Sequence, residues 1–312
     1  MEQTKRPEIE ALITNIEKVI IGKRNVIELI LTALLAEGHV LIEDVPGVGK
    51  TQLAAALSKS CDGSFGRIQM TPDVMPSDIT GFTMIGGIDR KTEFKKGAAF
   101  CNFLLTDEIN RASSKSQSAL LEIMEEKQIS QDGVTYALPM PFMVLATQNP
   151  VETYGTYHLP EAQMDRFLMK ISMGYPGKEN ELSILRRKEG HSPKELTPVV
   201  SCEEILHMID EAGNVRCSEK LEEYIVDIVT ATRETQDIAL GVSPRGSIAL
   251  HKAAKAYAYL QGRDFVLPDD IKHLAPYVLA HRIMLAPGAR AGFDTNERAI
   301  ASVLEKVQVP TE

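Results

Sequence analysis

Apolar residues follow two different spacings along the first half of the chain. Short apolar runs predict β-strands, and longer segments in which apolar residues recur every three or four positions predict helices. Two helices are predicted within residues 8–36. Strands are predicted at 39–43, 67–70, 101–106, 142–147 and 167–171, with helices from the end of the first loop to about Lys59 and over 116–126. Because strands alternate with helices, we expect an α/β fold with a mostly parallel five-stranded sheet and helices on both faces.

The second part of the chain has helical spacing almost throughout. A helix is predicted over 181–188, and a polar, proline-bearing stretch at 191–199 then predicts a linker. Further helices are predicted at 203–212, 218–236, 246–261, 268–281 and 294–306. This change predicts two domains, an α/β domain over residues 1–190 and a small all-α domain over residues 191–312.

Two insertions interrupt the alternation of strands and helices in the first domain. Residues 81–97 contain two short strand-like pieces around Gly86-Gly87, and residues 128–137 contain two more around Asp132-Gly133. Asp-Gly between strand-like pieces is a strong signal for a β-hairpin. We expect both insertions to project from the sheet, either as surface decoration or as loops that touch a partner or a pore.

Composition and charge exclude several classes of protein. The net charge of −9 argues against binding nucleic acid over the whole surface, since that needs clustered Lys and Arg, although a local basic strip remains open. No apolar run is long enough to span a bilayer, and the first residues lack an apolar signal core. The four cysteines are widely spaced, which predicts reduced thiols in a cytoplasmic protein.

Residues 44–51, Asp-Val-Pro-Gly-Val-Gly-Lys-Thr, carry the strongest chemical signal. They lie between a predicted strand and a predicted helix, which is the order of a phosphate-binding P-loop. Lys50 can reach the β and γ oxygens of a triphosphate, and the Thr51 hydroxyl can hold Mg²⁺. The strict pattern has glycine where Asp44 stands, and a glycine-rich turn that caps a helix is the alternative. The residues predicted to bind the nucleotide here are Pro46, Gly47, Val48, Gly49, Lys50, Thr51 and Gln52.

Polar side chains end the third and fourth predicted strands. The third ends in Asp107-Glu108, the Walker B arrangement, in which Asp107 can face the Mg²⁺ shell and Glu108 can orient a water. A helix N-cap is the alternative for these acids. The fourth strand leads to Asn149, which can bind both the γ-phosphate and the water, with a turn residue before Pro150 as the alternative.

Two arginines complete the candidate catalytic set. Arg166 precedes the fifth predicted strand, and Arg245 begins a helix of the second domain. The charge that spreads over a γ-phosphate is best met by a planar, bidentate cation. The structural alternatives are an ion pair of Arg166 with Glu161 or Asp165, and a solvated first-turn position for Arg245.

These motifs, in this order, resemble an AAA+ ATPase, and several strings are similar to its MoxR family. The resemblance covers nearly the whole chain. In this family the first glycine of the P-loop is often replaced by an acid, which accounts for Asp44. The similar strings are Glu43–Thr51, Thr71–Asp73, Pro76–Gly81, Asp107–Ala112, Ala146–Pro150 and Asp165–Phe167.

The resemblance implies a P-loop AAA+ core, a small α-helical lid and a role for each motif residue. Lys50, Thr51 and Asp107 would hold phosphate and Mg²⁺, and Glu108 would polarise the water. Asn149 would be the first sensor, Arg166 the arginine finger offered to a neighbouring subunit, and Arg245 the second sensor of the subunit's own lid, which closes on the large domain. Residues 20–22 (Ile20, Ile21 and Gly22) would line the adenine.

The resemblance also implies partners. Members of the family form hexameric rings, hydrolyse ATP to ADP and phosphate, and act with proteins that carry a von Willebrand factor A domain, in chaperone-like activation of a client protein or in cofactor insertion. A DNA translocase of the same clade and a non-hydrolysing nucleotide switch are the alternatives. The first would rest on basic residues near the first insertion, namely Arg90, Lys91, Lys95 and Lys96. Glu108 and Asn149 argue against the second, and binding of nucleic acid is not expected.

Overall fold

The computed structural model describes residues 5–86, 91–150, 157, 159–186, 193–288, 293 and 295–310. Its first part contains the helices and strands α1 (Pro7–Glu17), α2 (Arg24–Leu35), β1 (Val40–Glu43), α3 (Lys50–Ser60), β2 (Phe65–Gln69), α4 (Pro76–Thr80), β3 (Gly81–Gly86), β4 (Lys91–Lys96), β5 (Phe103–Asp107), α5 (Ser114–Glu126), β6 (Gln128–Gln131), β7 (Val134–Ala137), β8 (Met143–Gln148), α6 (Glu161–Met164), β9 (Met169–Ile171) and α7 (Lys178–Arg186). Its second part contains α8 (Cys202–Gly213), α9 (Glu219–Glu234), β10 (Ile238–Leu240), α10 (Pro244–Leu260), α11 (Pro268–Leu279), β11 (Met284–Leu285) and α12 (Asn296–Lys306).

Five parallel strands form the central sheet in the order β2-β5-β8-β1-β9. Side chains of successive residues point to opposite faces of a strand. Phe103 and Leu105 of β5 accordingly pack in the apolar cluster that contains α1, α2 and α3, whereas Leu104 packs in the cluster that contains α4 and α5. Both faces are therefore covered, which confirms the predicted fold class.

A buried histidine directly before β1 is hydrogen-bonded to both β8 and α5. His39 Nδ1 accepts a hydrogen bond from the Val144 amide at 3.0 Å, so Nε2 carries the proton and donates to the Met124 carbonyl at 2.9 Å. Burial lowers the pKa of His39 to about 4, since a charged imidazole would lose its hydration there. His39 is therefore neutral in the folded protein at physiological pH.

The two insertions form hairpins that contact each other. β3 pairs with β4 and β6 pairs with β7, both antiparallel, and the Asp132-Gly133 turn has positive φ at both residues, as predicted for such a turn. Phe94 of the first hairpin stacks on Tyr136 of the second, with ring centroids 4.1 Å apart. Residues 87–90 of the first insertion, which include Arg90 of the predicted basic cluster, lie outside the described residues.

The second part of the chain is helical, with one addition that the sequence did not predict. Helices α8 to α12 match the predicted helices within a few residues, and β10 pairs with β11 in a short antiparallel pair. Two and three residues are too few to produce a strand signal. Residues 187–192 lie outside the described part of the chain, so the predicted boundary near residue 190 stays a prediction.

The helical part packs against the N-terminal helices of the first part. Helices α8 and α10 both contact α2. The buried side chains of α2 and α10, such as Leu31 and Leu250, belong to one apolar cluster that continues under the sheet. Within the described residues, no helix is long and apolar enough to cross a membrane.

Candidate functional site

The loop between β1 and α3 forms an open cradle. Gly47 and Gly49 have φ of 87° and 94°, in the left-handed region that favours glycine. A Cβ atom on either residue would meet nothing within 4 Å, so the backbone faces open space. Helix α3 begins at Lys50, and its first amide groups have no partner within the helix. Backbone N–H groups and the helix dipole therefore favour an anion such as phosphate at this place.

Asp44, where the strict P-loop pattern has glycine, is a buried hydrogen-bond acceptor. Its Oδ2 accepts the amides of Met173 at 2.5 Å and Gly174 at 2.9 Å, and the Ser172 hydroxyl at 3.1 Å. The carboxylate thus fastens the P-loop to the segment that follows β9. The Asp44 carbonyl also accepts a hydrogen bond from Lys50 Nζ at 2.8 Å, which holds the lysine across the loop.

Burial lowers the pKa of Lys50, and the nearby carboxylates of Asp44, Asp107 and Glu108 oppose that shift. An anionic ligand would add negative charge beside the partly buried Lys50 ammonium group and would therefore be attracted by it.

Asp107 and Glu108 are joined to β8 by one hydroxyl. Thr147 Oγ1 accepts the Glu108 amide at 2.9 Å and donates to Asp107 Oδ1 at 3.3 Å. Glu108 has φ of 56° and ψ of 52°, a conformation uncommon for residues other than glycine. The strand therefore ends at Asp107, and the turn redirects Glu108, whose carboxylate lies 3.0 Å from Arg111 Nε. Residues held in such conformations cluster at functional sites.

The cradle and the two acids line one cleft of about 360 Å³. It brings together most of the residues predicted to bind phosphate, Mg²⁺ and water. Val48 is not among its lining residues and packs instead against the apolar core. The cleft is lined by Pro46, Gly47, Gly49, Lys50, Thr51, Gln52, Arg67, Gln69, Asp107, Glu108, Thr147 and Asn149.

Ile20, Ile21 and Gly22 are not among the residues that line this cleft, and their predicted contact with the adenine stays a prediction. Ile20 is buried, and a Cβ on Gly22 would lie 2.0 Å from Asn180 Nδ2. Lys23 Nζ donates to the carbonyls of Met173, Gly174 and Tyr175. This segment therefore packs against the chain that follows β9, the same segment to which Asp44 is fastened.

Arg166 and Arg245 lie outside the P-loop cleft and share a different partner. Arg166 Nη1 is 2.9 Å from Glu125 Oε2, and Arg245 Nη2 is 2.6 Å from Glu125 Oε1. They line a depression of about 340 Å³ that has no lining residue in common with the P-loop cleft. The structure places Arg245 beside Glu125, on the helix α10 that contacts α2, and not among the residues that line the P-loop cleft. Its contact with the subunit's own nucleotide stays a prediction.

The loop that carries Arg166 is fixed by the lid. Asp165 accepts hydrogen bonds from Arg282 Nε at 2.6 Å and from the Ser243 hydroxyl at 2.9 Å. Arg166 also donates to the Leu121 carbonyl at 2.8 Å. The ion-pair partner of Arg166 is thus Glu125, instead of Glu161 or Asp165.

Sequence reasoning missed three residues of the cleft, Arg67, Gln69 and Thr147. Arg67 Nε donates to Asp107 Oδ2 at 2.8 Å from the neighbouring edge strand β2. Its only signal is the alternation of β2, which places Arg67 and Gln69 on one face. Thr147 lies next to the last residue of β8, and its signal is the same as that of Asn149, a polar side chain at the carboxyl end of a strand.

Comparison with known proteins agrees with this geometry. Residues 39–169 match the model of the ATPase family associated with various cellular activities (AAA), and residues 230–303 match an AAA lid domain. The chain is 50% identical to YeaC of Bacillus subtilis, covering 98% of this chain and 96% of the relative. It is 40% identical to chaperone MoxR1 of Mycobacterium tuberculosis, covering 97% and 82%.

A solved structure shows the same architecture. The crystal structure of "a putative ATPase" from Cytophaga hutchinsonii has a TM-score of 0.90 and 42% identity to this chain, covering 97% of this chain and 95% of the other. Together with the P-loop, the Asp-Glu strand end and the helical lid, these similarities show that the chain belongs to the MoxR family of AAA+ ATPases.

Proposed function

We propose that this protein binds ATP in the P-loop cleft and hydrolyses it to ADP and phosphate. The observation that carries the proposal is the single cleft in which the cradle, Lys50 and the Asp107-Glu108 strand end face one another. The loop amides and Lys50 would hold the phosphates, as would Gln52 at the start of α3. Thr51 and Asp107 supply the oxygen atoms that Mg²⁺ prefers. When bound, Mg²⁺ neutralises charge on the β- and γ-phosphates.

Glu108 is the proposed general base. Glu108 lines the same cleft, and its left-handed backbone conformation turns it out of the strand. Asn149, which also lines the cleft, would orient the terminal phosphate and the attacking water. Thr147 is a positioning residue, because it fixes both the Asp107 carboxylate and the Glu108 amide.

The active unit in this proposal is a homo-oligomeric ring, with a hexamer as the expected size. Arg166 and Arg245 share no cavity with the chain's own P-loop cleft, so both are available to a neighbouring subunit. A head-to-tail ring places one face of each subunit against a different face of the next. We propose that Arg166 and Arg245 together contact the nucleotide of that neighbour.

The output of hydrolysis is proposed to be chaperone-like remodelling or activation of a client protein in the cytoplasm. Support comes from the similarity to chaperone MoxR1. A protein with a von Willebrand factor A domain is the proposed partner, on the family resemblance alone. The alternative of a DNA motor rests on Lys91, Lys95 and Lys96; Lys95 and Lys96 are exposed, and nothing further in the described residues favours it.

Phosphate release measured on the purified, assembled protein tests this proposal. With ATP and Mg²⁺ we expect release of phosphate, and Lys50→Ala should abolish both ATP binding and release. Lys59→Ala, at the other end of α3, is the matched control and should leave both intact. If the wild-type protein binds ATP but releases no phosphate when assembled, the chain is a nucleotide switch. Stimulation by DNA would instead favour the translocase.

A further inference from the structure

We propose that Arg67 is a further nucleotide-binding residue, which leaves Asp107 when Mg²⁺ binds and then contacts the terminal phosphate of ATP. This inference rests on the proposed function of the same cleft. It adds an arginine from the chain's own core domain to the two that face a neighbour.

The position of Arg67 is the first observation. In the register of β2 and β5, Arg67 lies opposite Leu105, and Gln69 lies opposite Asp107. Arg67 and Gln69 share one face of β2, and both line the P-loop cleft together with Lys50, Thr51 and Glu108. An arginine on this face therefore points into the space that the phosphates would occupy.

The partner of Arg67 is the second observation. Arg67 Nε donates to Asp107 Oδ2 at 2.8 Å, while Thr147 occupies Oδ1. Asp107 is largely buried, so its charge needs a counter-ion when no metal is present. Arg67 fills that role on the oxygen atom that Thr147 leaves available.

Arg67 and a bound Mg²⁺ would compete for Asp107, because both carry positive charge. A divalent cation near Asp107 repels a guanidinium bound to the same carboxylate, and at distances of about 4 Å this repulsion is substantial in a partly buried cleft. The Arg67 side chain is half exposed and can therefore turn. The loss of the Asp107 contact thus releases the arginine inside the cleft.

The remaining donors of Arg67 suit a phosphate. Within the described part of the chain, Nη1 and Nη2 of Arg67 have no hydrogen-bond partner. A guanidinium fork binds two oxygen atoms of a phosphate at once. Because Asp107 would hold the Mg²⁺ that accompanies the triphosphate, the terminal phosphate would be the anion nearest to the released arginine.

Nucleotide affinity tests the proposal without relying on turnover. We would titrate ATP and ADP into Glu108→Gln protein, with Arg67 intact or changed to Ala, each with Mg²⁺ and with EDTA. With Mg²⁺, Arg67→Ala should weaken ATP binding on the order of tenfold, the loss of one charge-assisted contact. ADP binding should change less than about twofold, and EDTA should remove the difference for ATP, since Arg67 then stays on Asp107.

Controls separate this inference from the function on which it rests. Arg216→Ala, an exposed arginine of the lid, should leave all affinities unchanged. Arg67→Lys keeps the charge but lacks the guanidinium fork, so its affinity for ATP should lie between those of the Arg67-intact protein and of Arg67→Ala. This variant serves in place of Arg67→Ala if the latter does not fold. An equal loss of ATP and ADP binding, or no loss of either, overturns the role of Arg67. Failure of the Arg67-intact protein to bind ATP overturns the proposed function instead.

Discussion

Arg245 of the lid and Arg166 of the core bind the same carboxylate, Glu125, at 2.6 and 2.9 Å. Two guanidinium groups from different domains are thereby held side by side on one face of the subunit. Both keep further N–H donors that can meet an anion brought by another molecule. In the ring proposed above, we therefore expect the two arginines to contact one and the same ligand.

The first prediction concerns mixed rings. Arg166→Ala and Arg245→Ala should each lower ATP hydrolysis by about 10³-fold, the lower end of what arginine fingers contribute. If one neighbour supplies both arginines, a mixture of the two variants should stay inactive, because no interface then holds both. Phosphate release from a one-to-one mixture measures this.

A second mixture shows that subunits exchange. Arg166→Ala mixed with Glu108→Gln should recover activity, because about a quarter of the interfaces in a random head-to-tail ring would combine an intact Glu108 with an intact Arg166. Recovery in the mixture of the two arginine variants would instead assign Arg245 to the subunit's own nucleotide.

The second prediction concerns the base. Glu108→Gln removes the carboxylate but keeps the side-chain shape, so ATP binding should persist while turnover falls by about 10²-fold or more. Glu126→Gln, an exposed acid at the end of α5, is the control and should turn over ATP normally. Near-normal turnover by Glu108→Gln would remove Glu108 from the mechanism.

The third prediction concerns Asp44. Asp44→Gly restores the strict P-loop pattern, yet it removes the acceptor of three hydrogen bonds from Ser172, Met173 and Gly174. Leaving buried amides unpaired should lower the free energy of unfolding by about 2 kcal/mol or more. Urea unfolding measures this, with Asp227→Asn, exposed on α9, as the control that should change little. An unchanged or increased stability of Asp44→Gly would contradict the role assigned to Asp44.

The fourth prediction concerns acid sensitivity. The pKa of His39 is lowered to about 4 by burial, against 6.5 for the free side chain. Between these values the unfolded chain binds a proton that the folded protein does not, so stability falls as the pH falls through this window and is unaffected above it. The contribution of His39 is about 1.4 kcal/mol per pH unit.

His39→Gln removes the titrating group and should flatten this dependence. The comparison is the difference in urea unfolding free energy between pH 7 and pH 5.5 for the variant and the wild type. Burial also lowers the pKa of His281, so some dependence of the same sign should remain in the variant. An identical slope in both proteins would show that His39 does not titrate on unfolding.

The sequence predicted the parts of the molecule that depend on local order. The strand, loop and helix around Lys50, the strand that ends at Asp107 and the helices of the lid all follow from spacing along the chain. Their bounds shift by at most two residues, as for the helix expected at 116–126 and found at Ser114–Glu126. Because β1 and β5 run in the same direction in the sheet, Lys50 and Asp107 lie at the same end of it, where the strands have their carboxyl ends.

The parts that the sequence could not predict depend on packing between distant segments. Arg245 lies beside Glu125 and not among the residues that line the P-loop cleft, and this position follows from the contact of α10 with α2, which no local pattern reveals. Arg67 looks like an ordinary residue of an edge strand until Asp107 is seen beside it. Asp44 is explained only by one hydroxyl and two amide groups that lie 128 to 130 positions away along the chain.

The apolar cluster that α2 shares with α8 and α10 has a mechanical consequence. A hinge between the two parts of the chain would expose this buried surface to water at about 25 cal/mol for each Å². Each subunit should therefore respond to its nucleotide as one rigid body. In the proposed ring, force would then be transmitted by movement of one subunit against the next at their interfaces.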